Sequence, residues 1–128
     1  MFESIHHAMR VVSSSIRERS KRKKRSPQWP RVEKVVLIQR PACEACGGIV
    51  RRQVHHKKPF HLYPELELDT NNLIVLCMGP KECHIRIGHG DDFKAFNPNV
   101  VRDAVTVLDR DELRPGIEKE AKKNRQYE

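Results

Sequence analysis

All four cysteines of the chain lie between residues 43 and 83, in two close pairs. Two residues separate Cys43 from Cys46, and five separate Cys77 from Cys83. Four thiolates in two such turns suit a tetrahedral Zn²⁺, which takes sulfur ligands at about 2.3 Å. Two glycines follow the first pair and allow the positive φ that a metal-binding turn often needs. The spacing therefore predicts one structural zinc held by these four cysteines.

Five of the seven histidines lie between Cys43 and residue 89: His55, His56, His61, His84 and His89. If the cysteines fill the zinc site, these imidazoles are free for a second task. A neutral imidazole titrates near pH 6.5, so it can bind a divalent cation or accept a proton from water at neutral pH. The tandem His55 and His56, together with His84 directly after the last cysteine, are the candidates for that chemistry.

The composition favours a polyanionic partner. The chain has 128 residues, a net charge of +8 and 33% charged residues. Residues 1–26 alone carry eight Lys and Arg against two Glu. A basic surface binds nucleic acid through the release of counterions, with a strong dependence on salt. High net charge could instead only confer solubility, but the basic run leads into the metal-binding window, which favours nucleic acid.

The same sequence predicts neither a membrane protein nor an exported one. No apolar run approaches the roughly 20 residues needed to cross a bilayer. The first residues are interrupted by His6, His7 and Arg10, unlike the apolar centre of a secretory signal. A chain kept in the cytoplasm has reduced thiols, which favours metal binding over disulfides. We therefore expect a cytoplasmic protein.

The residues before the first cysteine pair predict a helix. Its apolar positions fall on one stripe at helical spacing: Trp29, Val32, Val36 and Leu37. Pro41 ends this helix, and Trp29 is expected to anchor the core rather than to stack on a base. Residues 1–26 precede it as a basic, flexible arm: a short helix over residues 1–16 is weakened by three consecutive serines, and residues 17–26, with almost no apolar residues, cannot pack.

Two strands are predicted between the cysteine pairs. Residues 49–56 form a strand that ends in the tandem histidines, and residues 73–76 form an apolar strand that leads into Cys77. The intervening loop holds alternating carboxylates, which predict a half-buried extended segment with a solvated acidic face rather than a metal site: Glu65, Glu67 and Asp69.

Short helices are predicted after the second cysteine pair. One begins at His84 and is stopped or bent by Gly88; on an ideal helix, His84 and His89 would lie about 140° apart. Asn97, followed by a proline, predicts the cap of the next helix. The apolar face expected for that helix is Val101, Ala104, Val105 and Leu108. The sequence from Arg114 to Gly116 predicts a break, and residues 113–128 a polar tail.

The order of these motifs resembles the HNH endonucleases, whose core is the ββα-metal (His-Me finger) fold. The matching stretches are PACEACG (41–47), QVHHKKPF (53–60), LELDTNNLIVLC (66–77) and ECHIRIGH (82–89). The likeness covers about residues 29–100 and is strongest to the small stand-alone proteins of bacteria and phages. One departure is the second cysteine pair, where two intervening residues are more usual. The resemblance implies an α+β fold: a ββα-metal core stapled by zinc, with flanking helices, in a nuclease domain over residues 27–112.

The resemblance also implies catalytic roles. His55 would be a ligand of the catalytic cation, and His56 would be the general base. Asn72 would tie the loop through its side-chain amide and so orient the base, with Asn71 as the competing candidate. These roles imply metal-dependent hydrolysis of DNA phosphodiester bonds.

The second half of the family motif implies the remaining cation ligands. His84 would ligate the cation from the helix, and His89 is its rival or a further ligand, while His61 is expected to be peripheral. The cation would be Mg²⁺, Mn²⁺, Ni²⁺ or Zn²⁺, although imidazole suits Mg²⁺ least. Basic residues around the site could clamp phosphates: Arg51, Arg52, Lys57, Lys58 and Arg86.

Competing interpretations remain open at this point. The main alternative is a non-catalytic, zinc-stabilised module that binds nucleic acid, which explains the cysteines and the charge but not the histidines. A toxin-like nuclease with an immunity partner and a zinc adaptor for proteins fit less well. Besides DNA, a second copy of the chain and phage packaging or restriction proteins are conceivable partners that the sequence does not decide.

Overall fold

The computed structural model describes residues 24–128, and all structural statements below concern that range. Its helices are α1 (Trp29–Gln39), α2 (Val100–Asp109) and α3 (Arg114–Asn124). Its strands are β1 (Arg52–His56), β2 (Leu73–Cys77), β3 (Ala95–Phe96) and β4 (Gln126–Tyr127). A single π-helical turn covers His84–Gly88, and short 3₁₀ turns cover Pro64–Leu66, Thr70–Asn72 and Asp111–Leu113. The α+β class predicted from the sequence is confirmed. Most of the predicted basic arm lies outside the described residues.

The central sheet is the antiparallel pair β1–β2, in which Arg52 lies opposite Cys77 and His56 opposite Leu73. All five residues of β2 are buried, because both faces of this strand are covered. Ile74 and Leu76 belong to one hydrophobic core, which also includes the cysteines and α2. Leu73 and Val75 belong to a second core under α1. This two-sided burial explains the unbroken apolar run of the predicted strand.

The first strand is shorter than the sequence predicts. It was expected from residue 49 but begins at Arg52, and both Ile49 and Val50 are exposed. The reason is Arg51, whose φ of 53° turns the chain out of the extended conformation. The prediction from apolar β-branched residues alone therefore placed the start of the strand three residues too early.

Helix α1 forms where the apolar stripe predicts it and covers the second core with Val36 fully buried. Trp29 packs against this core, as expected. Two arginine side chains tie the end of α1 to the sheet. Arg40 donates to the carbonyls of Leu73 (2.8 Å) and Thr70 (3.0 Å), and Arg52 donates to Pro41 O (2.7 Å).

Helix α2 begins two residues later than predicted and is rotated. Asn99, not Asn97, is its N-cap residue, and its buried face is Val100, Asp103, Ala104 and Val107. The expected face was wrong except for Ala104, because Val101, Val105 and Leu108 are exposed. The side chain of Asn97 is instead buried and donates to Asp103 Oδ2 (2.7 Å) and to Ile87 O (3.0 Å). The hydrogen bond from Asn97 satisfies the buried carboxylate of Asp103, so a polar residue can occupy the buried face of α2.

The break predicted at Arg114–Gly116 is wrong, because these residues are the first turn of α3. Proline is well suited to that position, since its missing N–H is not needed there. In place of the expected polar tail, α3 packs through Ile117 and the fully buried Ala121. Strand β4 then pairs antiparallel with β3, with Tyr127 opposite Ala95.

Within residues 24–128, every helix is too short or too polar to serve as a membrane span.

Candidate functional site

The four cysteines predicted to bind zinc form one cluster. Their sulfur atoms all lie within 4.8 Å of one another, and Cys46 Sγ is 3.7 Å from Cys77 Sγ. Two sulfurs on a tetrahedral ion at about 2.3 Å are about 3.8 Å apart, so the spacing fits one Zn²⁺. None of the four forms a disulfide. The cysteines are therefore positioned to bind a metal, in an arrangement compatible with structural zinc.

The first pair is held by a tight turn. Gly47 has a φ of 78° and its N–H donates to Cys43 O at 2.9 Å. The N–H groups of Cys46 and Gly48 point at the sulfurs of Cys43 and Cys46, each at 3.4 Å. Such N–H···S bonds stabilise thiolate, the form that binds metal. The sequence-based expectation of a glycine turn is confirmed.

The second pair comes from two different elements: Cys77 ends β2, and Cys83 is the N-cap residue of the π-helical turn. The hydrogen bond with the Cys83 thiol lowers the pKa of Cys43 to about 4. The same bond, followed by burial, raises the pKa of Cys83, while Arg114 acts in the opposite direction. A bound cation would remove the remaining thiol protons.

Arg114 is a contributor that the sequence analysis missed. Its Nη1 donates to Cys83 Sγ (3.3 Å) and its Nη2 to Lys81 O (2.6 Å), while Nε pairs with Glu118 (2.8 Å). The side chain thus joins α3 to the second cysteine pair. Because Arg114 is far from Cys83 in sequence and stands in an apparent helix breaker, no local pattern indicated this contact.

Three of the candidate histidines converge at a second site, which begins at the residue after Cys83. His84 Nε2 lies 3.1 Å from His55 Nδ1 and 3.2 Å from His89 Nε2. Two imidazole nitrogens on a tetrahedral ion at about 2.0–2.1 Å would be about 3.3 Å apart. The geometry therefore brings together the ligands proposed from the sequence and includes His89 with them.

Hydrogen bonds at the far side of the rings indicate which nitrogen carries a proton. His89 Nδ1 lies 2.6 Å from Ala95 O, which can only accept, so Nδ1 is protonated and Nε2 carries a lone pair. His84 Nδ1 faces the thioether sulfur of Met78 at 3.2 Å, which favours the same tautomer. The lone pairs of His84 Nε2 and His89 Nε2 then face each other at 3.2 Å, and a cation between them would relieve their repulsion. The donor set fits a metal ion on this ground.

The π-helical turn is what allows His89 to join. His89 N donates to His84 O at 3.1 Å, five residues back, so residues five apart lie over one another. The sequence predicted a helix stopped or bent at Gly88; the π-helical turn is the form that this departure takes, whereas an ideal α-helix would have separated the two rings. Gly88 matters as well, because a Cβ at this position would meet the ring of His55 at 3.3 Å and Leu76 at 3.0 Å.

Burial keeps the three imidazoles neutral. It lowers the pKa of His84 to about 4 and that of His55 well below its usual value, with neighbouring histidines adding to both effects. Burial also lowers the pKa of His89, against the opposing effect of its bond to Ala95. Unprotonated imidazoles are the form that binds metal, so the cluster is ready to do so at neutral pH.

His56 lines the same cleft, which has a volume of about 320 Å³, but it is held by different contacts. Its Nε2 lies 3.0 Å from Glu67 O, so Nε2 donates and Nδ1 carries the lone pair. The ring of Trp29 stacks against it with centroids 4.6 Å apart. Burial lowers the pKa of His56, partly offset by the Glu67 carbonyl. This imidazole is therefore neutral and fixed in orientation.

Asn72 ties the loop that leads away from His56. Its Oδ1 accepts from Lys58 N (2.9 Å), and its Nδ2 donates to Lys58 O (3.1 Å) and Leu66 O (3.3 Å). The side chain is buried, whereas Asn71 is exposed. The same loop presents the Glu67 carbonyl to His56, so Asn72 acts on His56 through the backbone.

Glu67 itself was expected on a solvated face, and that expectation is wrong. The residue is only 5% exposed. Its carboxylate accepts from Ser26 N at 3.1 and 3.2 Å and lies 3.9 Å from Arg25 Nη1. The guanidinium of Arg25 also lies over the rings of Phe60 (4.6 Å) and Trp29 (5.4 Å). The last residues of the predicted arm thus form one wall of the cleft.

The five basic residues proposed to clamp phosphates are in unequal situations. The guanidinium of Arg52 donates to backbone carbonyls, and Arg86 is paired with Glu82 (3.3 Å) and Glu118 (3.6 Å). The remaining three have partly or fully exposed side chains: Arg51, Lys57 and Lys58. Lys57 donates to Asn71 O, and Lys58 lies over Tyr63.

Two further aromatic or imidazole side chains belong to the surroundings of the site. His61 is exposed, lines the cleft and packs against Phe60, with ring centroids 5.9 Å apart. Phe93 lies against the rings of His89 (4.9 Å) and His84 (5.9 Å). The sequence analysis did not single out Phe93, which lies in an irregular segment without a helical or strand pattern.

No family model, curated protein or solved structure matches the chain.

Proposed function

We propose that this protein is a metal-dependent endonuclease of the HNH type, which hydrolyses DNA phosphodiester bonds. The observation that carries the proposal is the convergence of three neutral imidazoles on one point, with a fourth imidazole, His56, on the same cleft. One group of side chains is thus suited to a cation and a separate one to proton transfer. Phosphodiester hydrolysis by water needs both functions.

The arrangement of elements supports a ββα-metal core. The antiparallel strands β1 and β2 are followed by the turn His84–Gly88. His55 comes from the end of the first strand, while His84 and His89 come from the helical segment. The helix of the proposed core is a single π-helical turn, which allows both of its histidines to face the strand.

The cation would be held by His55, His84 and His89. Three neutral nitrogen ligands suit Zn²⁺, Ni²⁺, Mn²⁺ or Co²⁺ better than Mg²⁺, which prefers oxygen. When bound, the cation supplies positive charge to the scissile phosphate and to the leaving oxygen. His89 is orientated by Ala95 O, and His84 by Met78.

His56 would act as the general base. Its Nε2–H is committed to Glu67 O, which leaves Nδ1 to accept a proton from the attacking water. Because burial lowers its pKa, the ring is unprotonated at neutral pH and able to accept that proton. Trp29 and the loop tied by Asn72 restrict its movement, and this restriction lowers the entropic cost of reaching the reactive geometry.

The charge distribution supports a nucleic-acid substrate. The net charge is +8, and the wall of the cleft carries Arg25. This side chain is half exposed and is held by Phe60, Trp29 and the distant carboxylate of Glu67. It could donate to a phosphate without leaving these contacts.

A second candidate function is the non-catalytic module that binds nucleic acid. The cysteine cluster and the basic residues support this candidate as well as they support the endonuclease. It gives no reason for three imidazole nitrogens to converge, or for His56 to line the same cleft. Cleavage and cation binding therefore separate the two candidates.

The experiment that tests the proposal is plasmid cleavage with Mg²⁺, Mn²⁺, Co²⁺, Ni²⁺ or Zn²⁺ added in turn. We expect the wild type to nick or cut DNA with at least one of these cations. His84→Ala removes the nitrogen shared by both short contacts and should reduce both the rate and the affinity for the cation. His61→Ala, an exposed histidine, is the matched control and should stay within a few-fold of wild type. An inert wild type that still binds DNA would favour the non-catalytic module.

A truncation tests the contribution of the basic arm to DNA binding. Residues 1–23 carry six Lys and Arg, whereas Arg25 and Ser26 bind Glu67 and should be kept. If the removed residues contact phosphates, deleting them should weaken binding similarly for all sequences. The slope of log affinity against log salt should become shallower by roughly 0.9 for each lost contact. Equal slopes for the full and truncated chains would show that the arm does not touch the ligand.

A further inference from the structure

The C-terminal segment lies directly against the loop that carries His89. Helix α3 ends at Asn124, and strand β4 then returns along β3. The loop between His89 and Phe96 contacts α3 near its beginning and β4 at its end. The mechanism proposed above orients His89 through Ala95 O but does not say what fixes Ala95 and the rest of this loop.

The beginning of this loop rests on the backbone of α3. Gly90 has a φ of 61°, and a Cβ there would lie 2.6 Å from Ala121 O. The Nη1 of Arg125 donates to Gly90 O at 2.7 Å. The position of the residue next to His89 is therefore set by a close backbone contact and by one guanidinium bond.

The end of the loop is fixed by the same segment. Ala95 pairs with Tyr127 in the β3–β4 sheet, and Glu128 N donates to Lys94 O at 3.2 Å. Ala95 O is the atom that accepts from His89 Nδ1 at 2.6 Å. Arg125 Nε in turn donates to the hydroxyl of Tyr127 at 2.9 Å, which links the contacts at the two ends of the loop.

We propose that Arg125 and Tyr127 are positioning residues of the three-histidine site, because they fix Gly90 and Ala95 and thereby the orientation of His89. The inference rests on the proposed cation binding by that site. A ligand that is held in place before the cation arrives binds it more tightly, and loss of an outer contact typically costs 10- to 100-fold in metal affinity. Arg125 holds the residue next to His89 rather than His89 itself, so we expect its removal to lower the metal affinity about tenfold, at the low end of that range.

A purely structural role would have a different signature. If Arg125 only stabilised the fold, its removal would lower the melting temperature without a selective effect on the cation. The cysteine cluster provides an internal reference, since its contact with α3 is made by Arg114 and not by Arg125. Positioning predicts unchanged zinc content together with weakened cation binding by the histidines.

The test is a calorimetric titration of the zinc-loaded full chain with Ni²⁺. We expect the wild type to bind one Ni²⁺ beyond the zinc, and Arg125→Ala to bind it about tenfold more weakly. Arg125→Lys, which can still donate to Gly90 O, should recover part of the loss. Arg110→Ala, which removes an exposed arginine paired with the nearby Glu112, is the matched control and should equal wild type. In nitrogen NMR of the histidine rings, His89 should lose its single-tautomer signature in Arg125→Ala alone.

The outcomes separate the two proposals. Wild-type affinity for Ni²⁺ in Arg125→Ala would overturn the positioning role and leave the proposed function intact. A wild type that binds no Ni²⁺ beyond the zinc, or a His84→Ala variant that binds it equally well, would overturn the proposed function, and the inference with it. If Arg125→Ala loses its zinc or does not fold, Arg125→Met, which keeps much of the aliphatic side chain but cannot donate to Gly90 O, decides by the same comparison.

Discussion

Replacing Cys77 by Ser is expected to release the structural metal and to unfold the protein. Cys77 ends the strand that belongs to both hydrophobic cores, and its sulfur lies 3.7 Å from that of Cys46. A structural Zn²⁺ contributes about 10–16 kcal/mol to folding in zinc-finger peptides, and a typical domain is stable by only about 5–15 kcal/mol. The zinc-binding free energy lost with one ligand should therefore exceed the free energy that keeps the rest of the protein folded.

The measurement is metal content together with thermal unfolding. Wild-type protein purified without added zinc should carry about one equivalent, and Cys77→Ser much less, with no cooperative transition. Val105→Ser, at an exposed apolar position, is the control and should keep both its zinc and its transition. A wild type that is fully folded without zinc, or that contains a disulfide between Cys43 and Cys46, would contradict the prediction.

The cysteine cluster and the central strand could be predicted because each depends on short-range information. The Cys-x2-Cys turn needs only two ligands and glycines beside them, and its geometry is the one expected. The apolar run at 73–76 is a strand because no other element buries both faces of so short a segment. The turn and the strand can therefore each be predicted from a local stretch of sequence.

The features that sequence alone missed depend on contacts between distant residues. The rotation of α2 is set by Asp103, which is buried because Asn97 can hydrogen-bond to it. Glu67 is buried because Ser26 and Arg25 reach it from more than 40 residues away. The alternating carboxylates predicted a solvated face for Glu67, and the apolar face predicted for α2 did not include Asp103, because the partner that compensates for burial cannot be read from a local pattern.

The π-helical turn is the most consequential of these differences. Its i to i+5 bond places His84 and His89 on the same side, where α-helical geometry would separate them. Nothing in the sequence HIRIGH requires this turn over an ordinary helix. Its position after Cys83, with the close approach of Gly88 to His55, shows that packing selects it. The candidate site could therefore be predicted in its residues, but not in its number of ligands.

One short segment connects the two candidate metal sites. Cys83 belongs to the cysteine cluster, and His84, the next residue, belongs to the three-histidine site. Damage to the cysteine cluster should therefore disturb the second site as well. His56 is different, because its ring stacks on Trp29 and its hydrogen bond is with Glu67 O. A substitution there can separate chemistry from metal binding and from folding.

Replacing His56 by Ala is accordingly expected to abolish cutting while DNA binding, zinc and the second cation are retained. Loss of a general base commonly lowers the rate by 10²–10⁴-fold. Cleavage should be measured with the cation that gives the highest wild-type rate, beside DNA affinity and metal content on the same preparation. His61→Ala serves as the control for loss of an imidazole near the cleft. His55→Ala should differ from His56→Ala by weakening cation binding as well as rate.

The pattern across these variants decides the role of His56. If its loss leaves cleavage unchanged while His84→Ala is inactive, the cation site stands and the base must be another group. If His56→Ala loses the second cation along with activity, its imidazole supports the three-histidine site rather than proton transfer. Only slow cleavage with full occupancy of both metals and normal DNA binding agrees with a base whose Nε2 is fixed by Glu67 O and whose Nδ1 accepts the proton from water.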